Sequence, residues 1–191
     1  MDLSRYDVSR HDPGANLLKR TLWYGINAIV FDSWLFPFYG IKRLLLRTFG
    51  GNIEREVVIK PRVNIKYPWK LTIGAHSWIG EGVWIDSLGS IRIGAHCCLS
   101  QGVYLCTGNH NWSEPGFGLM VEPITIADRT WIGAFSIVCP GVSVAEGTVI
   151  TTGSVVTEDT VPWSIYSGNP ASVIKKREIS RAQDVPVVGV P

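Results

Sequence analysis

The amino-acid sequence predicts a mainly β fold in which the chain winds through short parallel strands and forms a solenoid. The first observation is a period of six residues, since an aliphatic side chain recurs at every sixth position within successive groups of three. The twelve positions are Ile73, Ile79, Ile85, Ile93, Leu99, Leu105, Ile126, Ile132, Val138, Val144, Ile150 and Val156. This period differs from about 3.6 residues for an α-helix and about 2 for a single strand. Short strands joined by turns account for it, with three hexapeptides forming one triangular coil of about 18 residues.

The second observation is the type of residue between the aliphatic positions. Four positions after most of them the side chain is small or β-branched. These residues are Ser77, Val83, Cys97, Val103, Thr130, Ser136, Val142, Thr148 and Ser154. Glycine directly follows the aliphatic residue at positions 74, 80, 94 and 133, and alanine follows it at 127 and 145. We expect the small side chains to fill the coil corners and the glycines to permit tight turns.

The third observation is where the period is interrupted. Coils that begin at residues 73, 93, 126 and 144 are separated by 20, 33 and 18 residues (93 − 73, 126 − 93 and 144 − 126). The large surplus, about 15 residues, forms an extruded loop at about 107–123, and a small one lies near Leu88-Gly89-Ser90. Loops of this length in compact folds are usually functional or disordered. We expect this one to fold over a surface, because it carries Trp112, Phe117, Leu119 and Met120.

The N-terminal residues have a different pattern. Residues 15–48 have aliphatic side chains at helical spacing, Pro37 divides them into two helices, and Gly50-Gly51 ends them. An earlier, less regular coil follows at Ile59, Ile65 and Leu71. We therefore divide the chain into a helical cap (1–52), a β-helix (53–174) and a basic tail (175–191).

Two interpretations of the helices are compatible with their composition. In the favoured one they cap the open end of the solenoid or pack on a neighbouring subunit, because exposed strand edges need a cover. In the other, the second helix contacts a membrane surface through its aliphatic residues and Lys42, Arg43 and Arg47. A membrane-spanning helix is not expected, since charged residues and Pro37 interrupt the apolar run.

Composition restricts the class of protein. The net charge is only +2 over 191 residues. The composition therefore does not suggest the basic stripe that nucleic-acid binding requires. The four cysteines have no C-x-x-C spacing, and the N-terminus has no apolar stretch typical of a secretory signal. We therefore expect reduced thiols and a cytoplasmic location.

The four histidines differ in their positions. His76 and His96 follow Ile-Gly-Ala in successive coils, so we expect them to stack at an exposed corner. His11 lies in a polar segment without an evident partner. His110 stands where the loop leaves the solenoid, preceded by Thr107-Gly108-Asn109. A histidine fixed at the base of an apolar loop is suited to general base catalysis, because imidazole titrates near neutral pH.

Several motifs resemble the left-handed β-helix acyltransferases with hexapeptide repeats, most closely the maltose and galactoside O-acetyltransferases. They are T-G-N-H (107–110), P-I-T-I-A-D-R-T-W-I-G-A (123–134), G-S-V-V-T-E-D (153–159) and S-G-N-P-A-S-V-I-K (167–175). The aromatic N-terminus followed by L-L-R-T-F-G-G-N resembles the branch associated with colanic acid and other exopolysaccharide biosynthesis. The resemblance covers about residues 50–177 strongly.

The resemblance implies an acetyl-CoA-dependent O-acetyltransferase without a metal, assembled as a homotrimer with active sites between subunits and acting on a sugar or glycan precursor. It makes His110 the general base and places an oxyanion-stabilising N–H near Gly133-Ala134. It implies that Asp86, Asn109 and Trp131 bind the acceptor. Asp86 departs from the family pattern, because it stands near the position of a family asparagine. It also implies that acetyl-CoA is bound by Trp131, Gly133, Ala134, Thr152 and Thr157. Glu158 stands where similar enzymes often carry a lysine near the CoA phosphates. Lys175, Lys176 and Arg177 would supply the missing positive charge.

Two other functions fit a hexapeptide solenoid. A zinc enzyme of the γ-carbonic anhydrase type needs three converging histidines, and the spacings here are 20 (96 − 76) and 14 (110 − 96) without an H-x₄-H pair. A non-catalytic scaffold is the other alternative, and T-G-N-H at the base of the loop argues against it.

Overall fold

The solenoid is a parallel β-helix with three faces, and the computed structural model describes residues 1–7 and 11–179. Face A contains β1 (Asn52–Ile53), β4 (Leu71–Ile73), β7 (Ile91–Ile93), β12 (Ile124–Ile126) and β15 (Ser143–Val144). Face B contains β2 (Val58–Ile59), β5 (Trp78–Ile79), β8 (Cys98–Leu99), β13 (Trp131–Ile132), β16 (Val149–Ile150), β18 (Ser164–Gly168) and β19 (Ala171–Lys176). Face C contains β3 (Asn64–Ile65), β6 (Trp84–Asp86), β9 (Tyr104–Cys106), β14 (Ile137–Val138) and β17 (Val155–Val156). The chain visits the faces in the order A, B, C, which confirms the predicted triangular coil.

The aliphatic period forms the core. All twelve predicted positions are at most 1% exposed. The earlier coil is also present, since Ile59, Ile65 and Leu71 are buried and their strands pair with the next coil. Fully burying an aliphatic side chain of this size stabilises a fold by about 1.5–3 kcal/mol, so the stacked aliphatic rows supply most of the solenoid's cohesion.

The small corner residues are buried as predicted, and their polar atoms are satisfied. Ser77 Oγ donates to Gly94 O at 2.7 Å, and Ser136 Oγ donates to Thr151 O at 2.9 Å. A buried hydroxyl without such a partner would be destabilising. These side chains therefore join one coil to the next.

The role predicted for the glycines was wrong in its physical reason. Gly74 and Gly133 do not occupy the left-handed turn position, which falls two residues later in the corner and is taken by residues such as His76 and His96 (φ 58° and 56°). A Cβ on Gly74 would instead lie 2.5 Å from Ala95 N, and one on Gly133 would lie 2.6 Å from Thr152 N. Close approach of the adjacent coil excludes a side chain there.

The long insertion leaves the register intact. Ile126 of β12 pairs with Ile93 in the coil before the insertion and with Val144 in the coil after it. Within the insertion, β10 (Gly108–His110) pairs antiparallel with β11 (Leu119–Val121). The predicted extruded loop is thus a β-hairpin that leaves and rejoins an uninterrupted solenoid.

Two helices close the N-terminal end of the solenoid. They are α1 (Leu17–Ile26), which continues as a π-helical turn over Asn27–Phe31, and α2 (Tyr39–Thr48). The carbonyl groups of the first coil point out of the open end, and helical side chains donate to them. These donors are Trp23 Nε1 to Ile65 O, Lys42 Nζ to Lys60 O, Arg43 Nη1 to Val57 O and Arg47 Nε to Ile53 O. The helices therefore cover the strand edge, as the favoured interpretation predicts.

Strands β18 and β19 extend face B at the opposite end, and they pair antiparallel. Most of the predicted basic tail, residues 180–191, lies outside the described residues. None of the helices in the described ranges has the length and apolar character that crossing a bilayer requires.

Candidate active site

Three departures from the repeat lie at the same corner of the solenoid. We call this the C–A corner, because its residues connect face C to face A in each coil. The segments are 66–70 in the first coil, 87–90 in the second and 107–123 in the third. Since successive coils stack directly, these segments form a continuous wall at one edge of the molecule.

The hairpin is fixed to this wall at its base. Thr107 Oγ1 donates to Asp86 O at 2.6 Å and accepts a hydrogen bond from Gly89 N at 2.9 Å. Glu122 N donates to Thr107 O at 3.0 Å, which closes the two arms of the hairpin. The fully buried Thr107 thereby sets where the following residues Gly108–His110 leave the solenoid.

His110 ends the first arm of the hairpin and is held on three sides. Its ring stacks on Phe117 with 4.3 Å between ring centroids and 4° between planes. The Tyr6 ring lies 5.7 Å away in a tilted arrangement. The His110 backbone N–H donates to Asn109 Oδ1 at 2.8 Å. The ring is thus half-buried in a defined orientation, although it sits on an extruded element.

One contact assigns the tautomer of His110. Its Nδ1 lies 2.9 Å from Phe117 O, and a carbonyl oxygen only accepts hydrogen bonds. Nδ1 therefore carries the hydrogen, so Nε2 of the neutral ring keeps its lone pair. Phe117 has a φ of 51°, an uncommon value for a non-glycine residue. The hairpin connection, residues 111–118, contains Phe117 and thus supplies the carbonyl that orients the ring of His110.

A cavity of about 350 Å³ lies beside His110. Its walls come from the N-terminal segment, α1 and the C–A corner of three coils. The lining residues are Tyr6, His11, Pro13, Arg20, Lys66, Tyr67, Leu88, His110 and Leu119. Of these nine lining residues, only His110 was among the site residues predicted from the sequence. The surplus at Leu88-Gly89-Ser90 was a usable indication, because both surpluses fall between the third and first strands of a coil and therefore at one corner.

The N-terminal segment is held against this cavity by side chains from the first coil. Trp69 Nε1 donates to Pro13 O at 2.7 Å, and Lys70 Nζ donates to Asp12 O at 2.9 Å. His11 stacks on Tyr67, with 6.4 Å between ring centroids. No partner for His11 could be predicted, because this contact joins residues far apart in the chain.

Asp86 lies behind the cavity wall and is 6% exposed. Its Oδ1 is 3.2 Å from Lys66 Nζ, an ion pair whose angles fall outside those of a hydrogen bond. Its Oδ2 accepts a hydrogen bond from Tyr104 OH at 3.3 Å. Burial raises the pKa of Tyr104, and Cys106 and Asp86 raise it further, so the phenol stays protonated and can donate. Asp86 is paired with Lys66, and Lys66 lines the cavity. The ring of His110 is oriented by Phe117 and not by Asp86.

The residues predicted for acetyl-CoA fall into separate groups. Trp131 is on face B, and Gly133, Ala134 and Thr152 follow at the corner between faces B and C in adjacent coils, where Gly153 N donates to Ala134 O at 2.8 Å. Gly133 N donates to Ile150 O at 2.8 Å, so its N–H is already used between coils. Ala134 N finds no acceptor in the described part of the chain. Of the two predicted oxyanion donors, Ala134 N–H is therefore the available one.

The other predicted residues lie elsewhere. Thr157 follows β17 on face C, and Lys175 and Lys176 are exposed on β19. His76 and His96 stack at 5.1 Å on the corner between faces A and B, as predicted. Across residues 1–7 and 11–179, no three His, Cys, Asp or Glu side chains are grouped so that they could hold a metal ion.

Comparisons of the sequence and of the structure with known proteins both find acetyltransferases similar to this chain. No protein-family model matches the sequence. The putative colanic acid biosynthesis acetyltransferase WcaF of Escherichia coli strain K12 is 40% identical over 176 residues, which cover 92% of this chain and 97% of that protein. The structure of a maltose O-acetyltransferase from Clostridium difficile 630 has a TM-score of 0.74 at 26% identity, covering 85% of this chain and 88% of that one. A galactoside acetyltransferase in complex with coenzyme A has a TM-score of 0.71 at 26% identity, covering 85% and 80%.

Proposed function

Because the chain belongs to the hexapeptide-repeat acetyltransferases and is an acyltransferase, we propose that it transfers an acetyl group from acetyl-CoA to a hydroxyl of a sugar or polysaccharide precursor. His110 acts as the general base. The observation that carries this proposal is the hydrogen bond from His110 Nδ1 to Phe117 O, which makes Nε2 the acceptor nitrogen of the neutral ring, in a residue that lines a cavity. The names of the relatives, which concern colanic acid, maltose and galactoside, support a carbohydrate acceptor.

The reaction is a direct transfer. His110 Nε2 removes the proton from the acceptor hydroxyl as its oxygen attacks the carbonyl carbon of the thioester. The negative charge that develops on the carbonyl oxygen is stabilised by the Ala134 backbone N–H, an interaction that gains strength where water is excluded. The carbon–sulfur bond then breaks, and the proton held by His110 passes to the leaving sulfur. The products are an acetyl ester of the acceptor and coenzyme A with a free thiol.

The site is completed by a neighbouring subunit. Within one chain His110 lies at the C–A corner, whereas Trp131, Gly133, Ala134 and Thr152 lie on face B and at the corner between faces B and C. Groups on different edges of one triangular solenoid cannot meet, but edges of two neighbouring solenoids can lie side by side. We therefore propose a homotrimer in which each active site takes the base from one subunit and the acetyl-CoA residues from the next.

Other parts of the chain have supporting roles in this proposal. Residues 1–52 act as the cap, and residues 53–174 carry the catalytic groups. Lys175 and Lys176, at the end of β19, supply positive charge for the phosphates of CoA. The use of acetyl-CoA and the four free cysteines support a cytoplasmic location.

Replacing His110 tests the proposed function. Loss of general base catalysis reduces turnover by about 10²- to 10⁴-fold, so His110→Ala should lose acetyl transfer by that factor at an unchanged melting temperature. The assay is release of CoA thiol across a panel of sugars and glycolipid precursors, with mass spectrometry of the product. His96→Ala, on the exposed corner between faces A and B, is the matched control and should keep full activity. Full transfer by His110→Ala would overturn the mechanism.

A further inference from the structure

The wall of the His110 cavity is unusual in its charge. Its ionisable side chains are two cations, Arg20 and Lys66, two histidines and two tyrosines, and none of the described residues that line it is a carboxylate. The charged groups that act on His11 or pair with Lys66 add Lys70, Asp12 and Asp86. Three cations therefore face two carboxylates, and the excess charge is positive.

The two cations of the wall differ in their partners. Lys66 is paired with the buried Asp86, so its charge is largely compensated. Arg20 is half-buried in the first turn of α1, and its guanidinium has no hydrogen bond or ion pair within the ranges that the structure describes. A guanidinium stays charged under all physiological conditions and presents a fork of donors that matches a carboxylate or a phosphate. Arg20 is thus the cation that remains available to a ligand.

A neutral polar group lies beside this charge. His11 Nε2 is buried and has no hydrogen-bond partner among the described residues. Burial lowers the pKa of His11, and the charges of Lys70 and Lys66 lower it further, so the imidazole is kept neutral. A buried ring nitrogen without a partner is costly unless a ligand or water supplies one. His11 therefore offers a hydrogen bond to a molecule bound in the cavity.

We propose that the acceptor carries an anionic group, a sugar carboxylate or a phosphate ester, which Arg20 binds while a hydroxyl of the same molecule lies at His110. This rests on the proposed function. An uncharged acceptor would leave the guanidinium with only water as a partner, whereas an anion forms charge-assisted hydrogen bonds with it. Arg20, Lys66 and Tyr67 also line a second cavity of about 530 Å³ along α1. The anionic group thus lies where the two cavities meet, with room for the rest of the acceptor beyond it.

The test uses matched acceptors and one substitution. Methyl glucuronide supplies the carboxylate, glucose 1-phosphate supplies the phosphate ester, and methyl glucoside is the neutral reference. Arg20→Gln should lower kcat/KM for the preferred anionic acceptor by about 10- to 100-fold, mainly through KM, because one charge-assisted interaction is lost. Transfer to methyl glucoside and the KM for acetyl-CoA should change less than about twofold. Whichever anionic arm shows the effect identifies the source of the charge.

The control is Arg55→Gln, since Arg55 is exposed in the turn between β1 and β2, away from the C–A corner. It should leave all acceptors unaffected. The proposal is overturned if Arg20→Gln affects neutral and anionic acceptors equally, if it affects neither, or if it raises the KM for acetyl-CoA instead.

A binding measurement separates this proposal from the proposed function. Glucose 1-phosphate and methyl glucuronide are titrated calorimetrically into His110→Ala and into the double variant with Arg20→Gln. If no acceptor is acetylated by the natural protein, the proposed function fails, but anion binding that depends on Arg20 would still support the anionic site. Equal binding of both anions by the two variants, or binding by neither, overturns the anionic site.

Discussion

Single residues set the chemistry at both the site and the cap. His110 has its tautomer fixed by one backbone carbonyl, and that carbonyl belongs to Phe117, whose ring also stacks on the histidine. The motif T-G-N-H and its place at the base of the loop led to the prediction that His110 is the base, which stays a prediction. It could not predict Phe117 as the orienting residue, because that contact depends on how the hairpin turns. The position of Arg20 could not be predicted for a similar reason, since it lies far from the repeat in sequence.

Lys42 provides a residue-scale prediction about pH. It is completely buried in the cap, where burial lowers its pKa to about 8. Between this value and the usual lysine range near 10.5, the unfolded chain binds more protons than the folded one, so folding stability rises with pH. The gain is present above the unfolded pKa and is lost as the pH falls through about 8.

The measurement compares natural protein with Lys42→Met by urea unfolding at pH 7.5 and 9.5. The difference in unfolding free energy between the two proteins should shift by up to about 2 kcal/mol in favour of lysine at the higher pH. Other groups titrate in this range, but they do so in both proteins and cancel. Parallel pH profiles would show that folding does not lower the pKa of Lys42.

At the scale of elements, the repeat could be predicted almost completely from the sequence. The aliphatic period defined the strands of the regular coils because these coils stack in register, and every predicted inward position is buried. The hairpin β10–β11 was predicted only as a loop, because its strands pair with each other and carry no six-residue pattern. The cavity wall could not be predicted, since it joins corners of three coils to an N-terminal segment that has no repeat at all.

Two glycines give a prediction that contrasts a coil with a helix. A Cβ at Gly74 would meet Ala95 N at 2.5 Å, whereas a Cβ at Gly25 within α1 meets nothing within 4 Å. Gly74→Ala should therefore force adjacent coils apart and cost about 1–3 kcal/mol of unfolding free energy. Gly25→Ala should stabilise the protein by about 0.5–1 kcal/mol, because alanine favours the helix. Denaturant unfolding of both variants measures this, and equal effects would contradict the close-approach explanation.

At the scale of the whole molecule, the separation of the functional corners is the main consequence of the fold. A solenoid fixes each side chain to one edge, and the edge that holds His110 is not the edge that holds Ala134. A single chain therefore cannot assemble the proposed site. The order of faces could be predicted from the period, but the placement of His110 and of the residues proposed for acetyl-CoA on different edges became clear only when both were assigned to corners.

Subunit complementation tests this arrangement. His110→Ala removes the base, and Ala134→Trp fills the corner proposed for acetyl-CoA, so each variant alone should be inactive. Equal co-expression of the two variants gives mixed trimers. A site in such a trimer is intact when its His110 comes from an Ala134→Trp subunit and its acetyl-CoA corner comes from a neighbouring His110→Ala subunit. This combination occurs at about a quarter of sites if subunits mix at random, and activity should recover to about that fraction of the natural enzyme. Size-exclusion chromatography and melting curves of each variant establish that both still assemble. If the mixed trimers remain inactive, the base and the acetyl-CoA residues serve the same site from one chain.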